Sequence, residues 1–294
     1  MSRWDGKSKG TVAGYKIFVY LLRTLGVRAA YALLVFVAGY YYITQRRSNR
    51  AIKYYFRRRV GYPSWRAQLA VYRSYFTFGQ TIIDKIAIRS GLKKSFTFEF
   101  DGREKLVQLL AEKRGGVLIS AHVGNFEIAE HFFAEIDLDC RIHLVTTDLE
   151  HSAIKDYLDS ISKMSPVKFI TIKDDLSHIF EINAALADNG LVCFTGDRYL
   201  DGAKLMRENL LGREAAFPAG PFLIASRLNA PVIFVYVMKE KGLHYHLYAS
   251  NAEVKRRDEV GLLKAYTASV AEMMKTYPYQ WFNYFDFWND VEKN

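Results

Sequence analysis

Cysteine is scarce in this chain: Cys140 and Cys193 are the two in 294 residues, and without partner spacing they make no case for a zinc site. Cys193 sits inside the apolar run Leu191-Val192-Cys193-Phe194, which reads as a buried strand carrying a structural thiol in a reducing compartment. Acid is scarce at one end. Residues 1–73 hold 15 Lys and Arg against a single acid, Asp5, a balance of +14, whereas the remainder holds 26 against 30, a balance of −4. The overall charge of +10 is therefore an N-terminal property. A long uncharged run is also missing: Ala29–Thr44 gives 16 residues, just short of the roughly 17 to 25 that span a bilayer. No small-residue cleavage site follows it, which argues against a signal peptide. The chain is neither disordered nor repetitive, and 50% hydrophobic residues supply a substantial core.

The residues interleaved with the N-terminal charge decide what it meets. Tyr40, Tyr41 and Tyr42 close the apolar run and Gln45-Arg46-Arg47 follow, an aromatic belt with a positive flank in the order expected at a membrane. Residues 1–45 are expected to be a membrane anchor, either a short or tilted span or a helix pair lying in the interface, with residues 46–294 as the second region. Lys53-Tyr54-Tyr55-Phe56-Arg57-Arg58-Arg59 continues the basic aromatic character, so a lipid surface is the expected partner and nucleic acid is not.

Helical apolar spacing runs from Trp65 to Ser90, after which the period changes. Phe96, Phe98 and Phe100 alternate with polar residues as in a half-buried strand. Apolar strands are predicted near 117–121, 141–146, 168–172, 191–195 and 231–238, separated by helices over 104–113, 153–163, 176–188 and 221–228, with a last helix over 260–276. This alternation predicts an α/β fold with a mainly parallel central sheet flanked by helices. Residues 199–216 read as a long loop or irregular helix. A hairpin is expected around Lys241-Gly242, and its second strand carries His244 and His246 on one face. A third ligand is not evident, so no metal is expected there.

In such sheets the active site lies at the carboxyl ends of the strands, which is where Ala121-His122-Val123-Gly124-Asn125-Phe126-Glu127 falls. On a continuous helix His122 and Glu127 would point about 140° apart. A turn at Gly124 with Asn125 as helix N-cap can instead fold the Glu127 carboxylate back to the imidazole, leaving helix amides for an oxyanion. A histidine beside a carboxylate is a general base, and a hydrogen-bonded surface histidine is the alternative. Asp197-Arg198 follows a second strand and can face the same crevice if the strands are neighbours. Asp197 can orient substrate or a catalytic group, and Arg198 suits a phosphate, carboxylate or oxyanion. Phe217-Pro218-Ala219-Gly220-Pro221 opens a helix whose start suits an anion. The aromatic tail Tyr277–Trp288 must pack on the sheet domain or line an apolar groove.

These pieces, His122 with Glu127, Asp197 after a strand, the Phe217-to-Pro221 block and Pro278-Tyr279-Gln280-Trp281, occur in an order that resembles the late acyltransferases of lipid A biosynthesis and the H-x4-D/E lysophospholipid acyltransferases. The resemblance covers nearly the whole chain. It implies transfer of an acyl chain from a thioester on acyl carrier protein or coenzyme A to a lipid hydroxyl or amine, at the cytoplasmic face of the inner membrane, without a bound cofactor. It makes His122 the base and Glu127 its orienting partner, with Asn125, Asp197, Arg198 and Gly220 lining the substrate site. Where those enzymes carry a Tyr-Arg-Pro stretch, this chain has Leu144-Val145-Thr146-Thr147-Asp148, which leaves the acceptor open among sugar-phosphate, lysophospholipid, amino-acid lipid and polyene-type precursors. A hydrolase of acyl esters or thioesters and a non-catalytic lipid-binding protein are the competing classes.

Overall fold

A computed structural model describes residues 12–129, 141–146, 167–173, 175–199, 202–228, 230–253 and 255–289. The helix predicted over 153–163 lies outside them. The apolar N-terminal run forms helix α1 (Val12–Thr44), interrupted at Gly26, where φ is 79° and ψ 177°. Glycine adopts that backbone without steric cost, so the break falls there. The part Thr24–Thr44 is long and apolar enough to cross a bilayer. Helix α2 (Arg46–Tyr54) and a wider turn over Tyr55–Arg59 lead to α3 (Ser64–Ala87). Helix α1 packs on α3, with Leu34 seated where Gly79 lacks a side chain: a Cβ there would come within 2.2 Å of Leu34.

Both helices leave large apolar side chains in the open, Phe36, Tyr40 and Ile43 on α1 and Trp65 and Leu69 on α3. Tyr72, three residues past Leu69 and so on the same stripe, donates its hydroxyl to the Val35 carbonyl and joins the two sets.

Strands β1 (Thr97–Asp101), β2 (Gly116–Ser120), β3 (Ile142–Thr146), β4 (Val167–Thr171), β5 (Leu191–Thr195), β8 (Val232–Lys239) and β9 (His244–Asn251) form one sheet in the order β1-β9-β8-β2-β5-β3-β4. Every pairing in it is parallel except β8 with β9, the predicted hairpin. Helices α4 (Arg103–Ala111), α5 (His178–Ala187), α6 (Ala219–Arg227) and α7 (Glu259–Thr276) complete the described α/β arrangement. Successive strand residues point to opposite faces. Val117, Ile119, Val192 and Phe194 accordingly enter one core, and Leu118, Leu191 and Cys193 the other. A strand buried on both faces is mostly apolar, as Val117–Ile119 of β2 are, and the buried Ser120 that ends it donates its hydroxyl to the Val235 carbonyl at 2.7 Å.

Residues 199–216 differ from expectation. They contain an antiparallel hairpin, β6 (Leu205–Leu210) with β7 (Arg213–Pro218). Its two-residue turn, Leu211-Gly212, has φ of 51° and 80°. Positive φ at both positions matches the twist of a hairpin. The turn lacks the usual Asn-Gly or Asp-Gly, and Arg207-Glu208-Asn209 blurs the strand alternation, so the pattern was concealed.

The tail closes the sheet end that carries His122. A short 3-10 turn over Pro278–Gln280 leads the chain across the His122 turn, where Val123 bridges Trp281, Gly124 N–H donates to Gln280 O at 2.9 Å and Phe282 N–H to His122 O at 2.9 Å. Trp281 packs on Tyr55 with ring centroids 4.7 Å apart, tying tail to helical layer. Gly124 has φ of 73°, and a Cβ there would lie 2.2 Å from the Val237 carbonyl oxygen. Left-handed backbone costs other residues about 1–2 kcal/mol before any clash is counted. Gly124→Ala is therefore expected to lower stability by about 2 kcal/mol or more, read as a reduced urea midpoint. An unchanged midpoint would show that the turn relaxes without cost.

Candidate active site

Strands β2 and β5 pair with Gly116 opposite Leu191 and Ser120 opposite Thr195. Carried two residues past the strand ends, the same register sets His122 opposite Asp197. The contact is made: His122 Nδ1 lies 2.8 Å from Asp197 Oδ1, and the His122 backbone N–H donates to Asp197 Oδ2 at 2.9 Å. The imidazole is 30% exposed while the carboxylate beneath it is 2% exposed. The Nδ1 edge is held by protein, and the side chain as a whole is partly exposed.

Asn283 supplies the next layer. Its side-chain amide donates to Asp197 Oδ2 at 2.7 Å, and its own oxygen accepts from Arg198 Nε at 2.8 Å. Arg198 also donates to the Phe282 carbonyl at 3.0 Å. Burial alone would raise the Asp197 carboxyl, but His122, Arg198 and Asn283 outweigh it and hold the group at about 2. An ionised carboxylate cannot donate, so the shared proton belongs to Nδ1. The Nε2 atom then bears the lone pair. Burial lowers Arg198 to about 10, which leaves it charged at neutral pH.

The expected site residues divide. His122, Asp197 and Arg198 come together. Arg198 is turned toward the tail, where it braces Asn283. Asn125 does not cap a helix: its side chain is buried and donates to the Thr81 carbonyl of α3 at 2.9 Å. The amides of His122, Gly124 and Asn125 within the turn are spent on Asp197, Gln280 and Val237. The Val237 carbonyl lies on β8, the strand next to β2, and takes the Asn125 N–H at 2.7 Å. Gly220 lies exposed in the first turn of α6. The backbone of Glu127 occupies a 3-10 turn, Phe126–Ile128, and its side chain lies outside the described residues, so the His122–Glu127 pairing does too. Asn283 was missed. Its signal was an isolated amide within Trp281-Phe282-Asn283-Tyr284, an aromatic setting in which a buried polar group needs partners.

A charged, buried acid orienting a strand-end histidine is an arrangement suited to moving one proton at a time. No curated protein matches this chain. The model of the family described as bacterial lipid A biosynthesis acyltransferase matches residues 9–288. As that match takes in the apolar N-terminal helix, the whole main sheet and the tail that locks Asp197 in place, the chain belongs to the bacterial lipid A biosynthesis acyltransferase family.

Proposed function

We propose that this acyltransferase moves a fatty acyl chain from a thioester of acyl carrier protein or coenzyme A to a hydroxyl or amine of a lipid acceptor, with His122 as general base. Nε2 takes the acceptor proton as the oxygen or nitrogen attacks the thioester carbonyl. Collapse of the tetrahedral intermediate breaks the C–S bond, and the imidazolium returns its proton to the departing thiolate. No covalent enzyme intermediate is needed. Asp197 stabilises the imidazolium through Nδ1, and Glu127 is the second carboxylate offered for the same duty by the H-x4-E spacing. The observation that carries the reading is the Nδ1 contact with an ionised Asp197, which leaves Nε2 basic.

The acceptor is a membrane lipid, and sugar-phosphate, lysophospholipid and amino-acid lipids all meet the chemical requirement of a nucleophilic hydroxyl or amine. The exposed apolar residues of α1 and α3, next to the basic run that begins at Arg46, support docking on the inner membrane with the catalytic domain on the cytoplasmic side. Lipid mass spectrometry with and without the protein tests the whole reading. His122→Ala should erase the acylated product and leave membrane binding unchanged. Persistent product would refute His122 as base, and free fatty acid without acylated lipid would make the protein a hydrolase.

The docking face has its own test. Deleting residues 1–45 should move the protein toward the soluble fraction, and Phe36→Ser with Trp65→Ser and Leu69→Ser in the full chain should do so in part. Unaltered sedimentation with membranes would transfer the anchoring role to the basic aromatic segment or the tail.

A further inference from the structure

Parallel pairing of β1 with β9 puts Glu99 opposite His246 and Asp101 opposite Tyr248 at the outer edge of the sheet. These residues share one face, since each pair is two positions from the next. A hydrogen-bond chain leads away from His246. Tyr277 donates its hydroxyl proton to the Glu240 carboxylate, so the Tyr248 hydroxyl, 2.6 Å away, must donate to Tyr277. With its proton committed, Tyr248 can only accept from His246 Nδ1, at 3.1 Å. The proton is thereby placed on Nδ1, and in the neutral ring the lone pair lies on Nε2.

Carboxylates stand at both ring nitrogens, Asp101 Oδ2 at 3.2 Å from Nε2 and Glu99 Oε2 at 3.9 Å from Nδ1. His246 Nε2 is buried and without a hydrogen bond. Donor atoms of Glu99, Asp101 and His246 all lie within 4.8 Å of one another. An imidazole lone pair 3.2 Å from the Asp101 carboxylate repels it unless a positive species lies between. Tetrahedral zinc with ligand bonds of about 2.0–2.2 Å separates its ligand atoms by roughly 3.3–3.5 Å, close to the His246–Asp101 spacing. Glu99 is 62% exposed and free to swing, and His244 Nε2 lies 3.7 Å from its carboxylate. Donation from Nδ1 to a fixed acceptor is also how metal-bound histidines are oriented.

We infer that Glu99, Asp101 and His246 form a binding site for a zinc-type divalent cation, with Tyr248 orienting the imidazole and solvent completing the coordination. Two histidines on one strand lacked a third ligand in the sequence; β1, distant in the chain, provides two carboxylates. The site is separate from His122 and independent of the proposed reaction.

The experiment titrates chelator-treated full-length protein with Zn2+ alone, by calorimetry and by metal content after dialysis. One equivalent should bind saturably. His246→Gln and the pair Glu99→Gln with Asp101→Asn should each abolish that binding, Tyr248→Phe should weaken it by about 10–100-fold, and His122→Ala should leave it unchanged. The two carboxylates are exposed, so their replacement tests the site even if His246→Gln folds poorly. Absence of saturable binding, or binding indifferent to all these changes, overturns the inference. So does an NMR spectrum in which His246 is doubly protonated and does not respond to Zn2+, because a proton then holds the cluster together.

Discussion

Asp197→Asn should reduce acyl transfer by about 10^3–10^4-fold, with the protein still folded and still bound to membranes. The size follows from proton placement. Asp197 accepts three hydrogen bonds, from the His122 backbone, His122 Nδ1 and Asn283. An asparagine has one oxygen and one NH2 group. Two donors converge on the Oδ2 side, so the amide oxygen belongs there and its NH2 faces Nδ1. The imidazole must then accept at Nδ1 and carry its proton on Nε2, where the base is needed. In a serine protease triad the corresponding exchange lowers kcat by about 10^4. Glu127→Gln, measured beside it, separates the two carboxylates: a larger loss from Glu127→Gln than from Asp197→Asn would return the orienting role to the H-x4-E pair. A second readout is pH. Because the folded-state value for Asp197 is about 2, below the ordinary 3.8, its ionised contacts favour folding at pH above about 3.8. That contribution is lost as pH falls toward 2. Asp197→Asn should flatten this acid limb of the stability curve, and an unchanged limb would contradict the assignment of a depressed carboxyl.

Much of the arrangement was legible because it depends on short-range patterns. Uniformly apolar Leu191–Phe194 and Val117–Ile119 announced strands buried on both faces, and the alternation of strands with helices announced a parallel sheet. Strand ends gave His122 and Asp197 as candidates separately. What joined them was register, the pairing of Ser120 with Thr195, and a one-step slip would have turned the side chains to opposite faces. Pairing across 75 positions has no local signature, so spacing alone offered Glu127 as the partner of His122, a pairing that lies outside the described residues. Asn125 shows the same limit from the other side. Its type suits a cap, yet Thr81 of α3 competes for the side chain, and a distant segment decides the outcome. The β6–β7 hairpin was concealed by unusual turn residues, and Glu99 and Asp101 joined His246 only through the pairing of β1 with β9.

Lys239→Met should destabilise the protein by about 3–5 kcal/mol, the range for breaking a buried ion pair by removing one partner. Lys239 Nζ sits 2.8 Å from Asp84 Oδ2 and 2.8 Å from the Gly242 carbonyl, with Lys239 and Asp84 side chains 3% and 0% exposed. Tyr245 and Tyr31 donate to the same carboxylate at 2.6 and 2.5 Å. One acid thus links α1, α3, β8 and β9. Burial pushes the Asp84 carboxyl up, while Lys239, Tyr245 and Tyr31 pull it back. Without the ammonium, burial is opposed by two hydroxyls alone, so Asp84 takes up a proton and avoids the far larger cost of an isolated buried charge. That relief sets the lower end of the range. Replacing both partners, Lys239→Met with Asp84→Leu, should recover a substantial part of the loss, because two apolar side chains leave no orphaned charge. Chemical denaturation of the single and double variants measures this. The consequence reaches the candidate active site, since the backbone N–H and carbonyl of Lys239 are both held by the Gln280 side chain, and Gln280 O in turn holds Gly124. Weakening Lys239 should therefore lower acyl transfer through lost stability, whereas Asp197→Asn lowers transfer in a protein that is still folded. If Lys239→Met proves as stable as the parent, the ion pair contributes only geometry, and the tyrosines must carry the connection between α1 and the sheet.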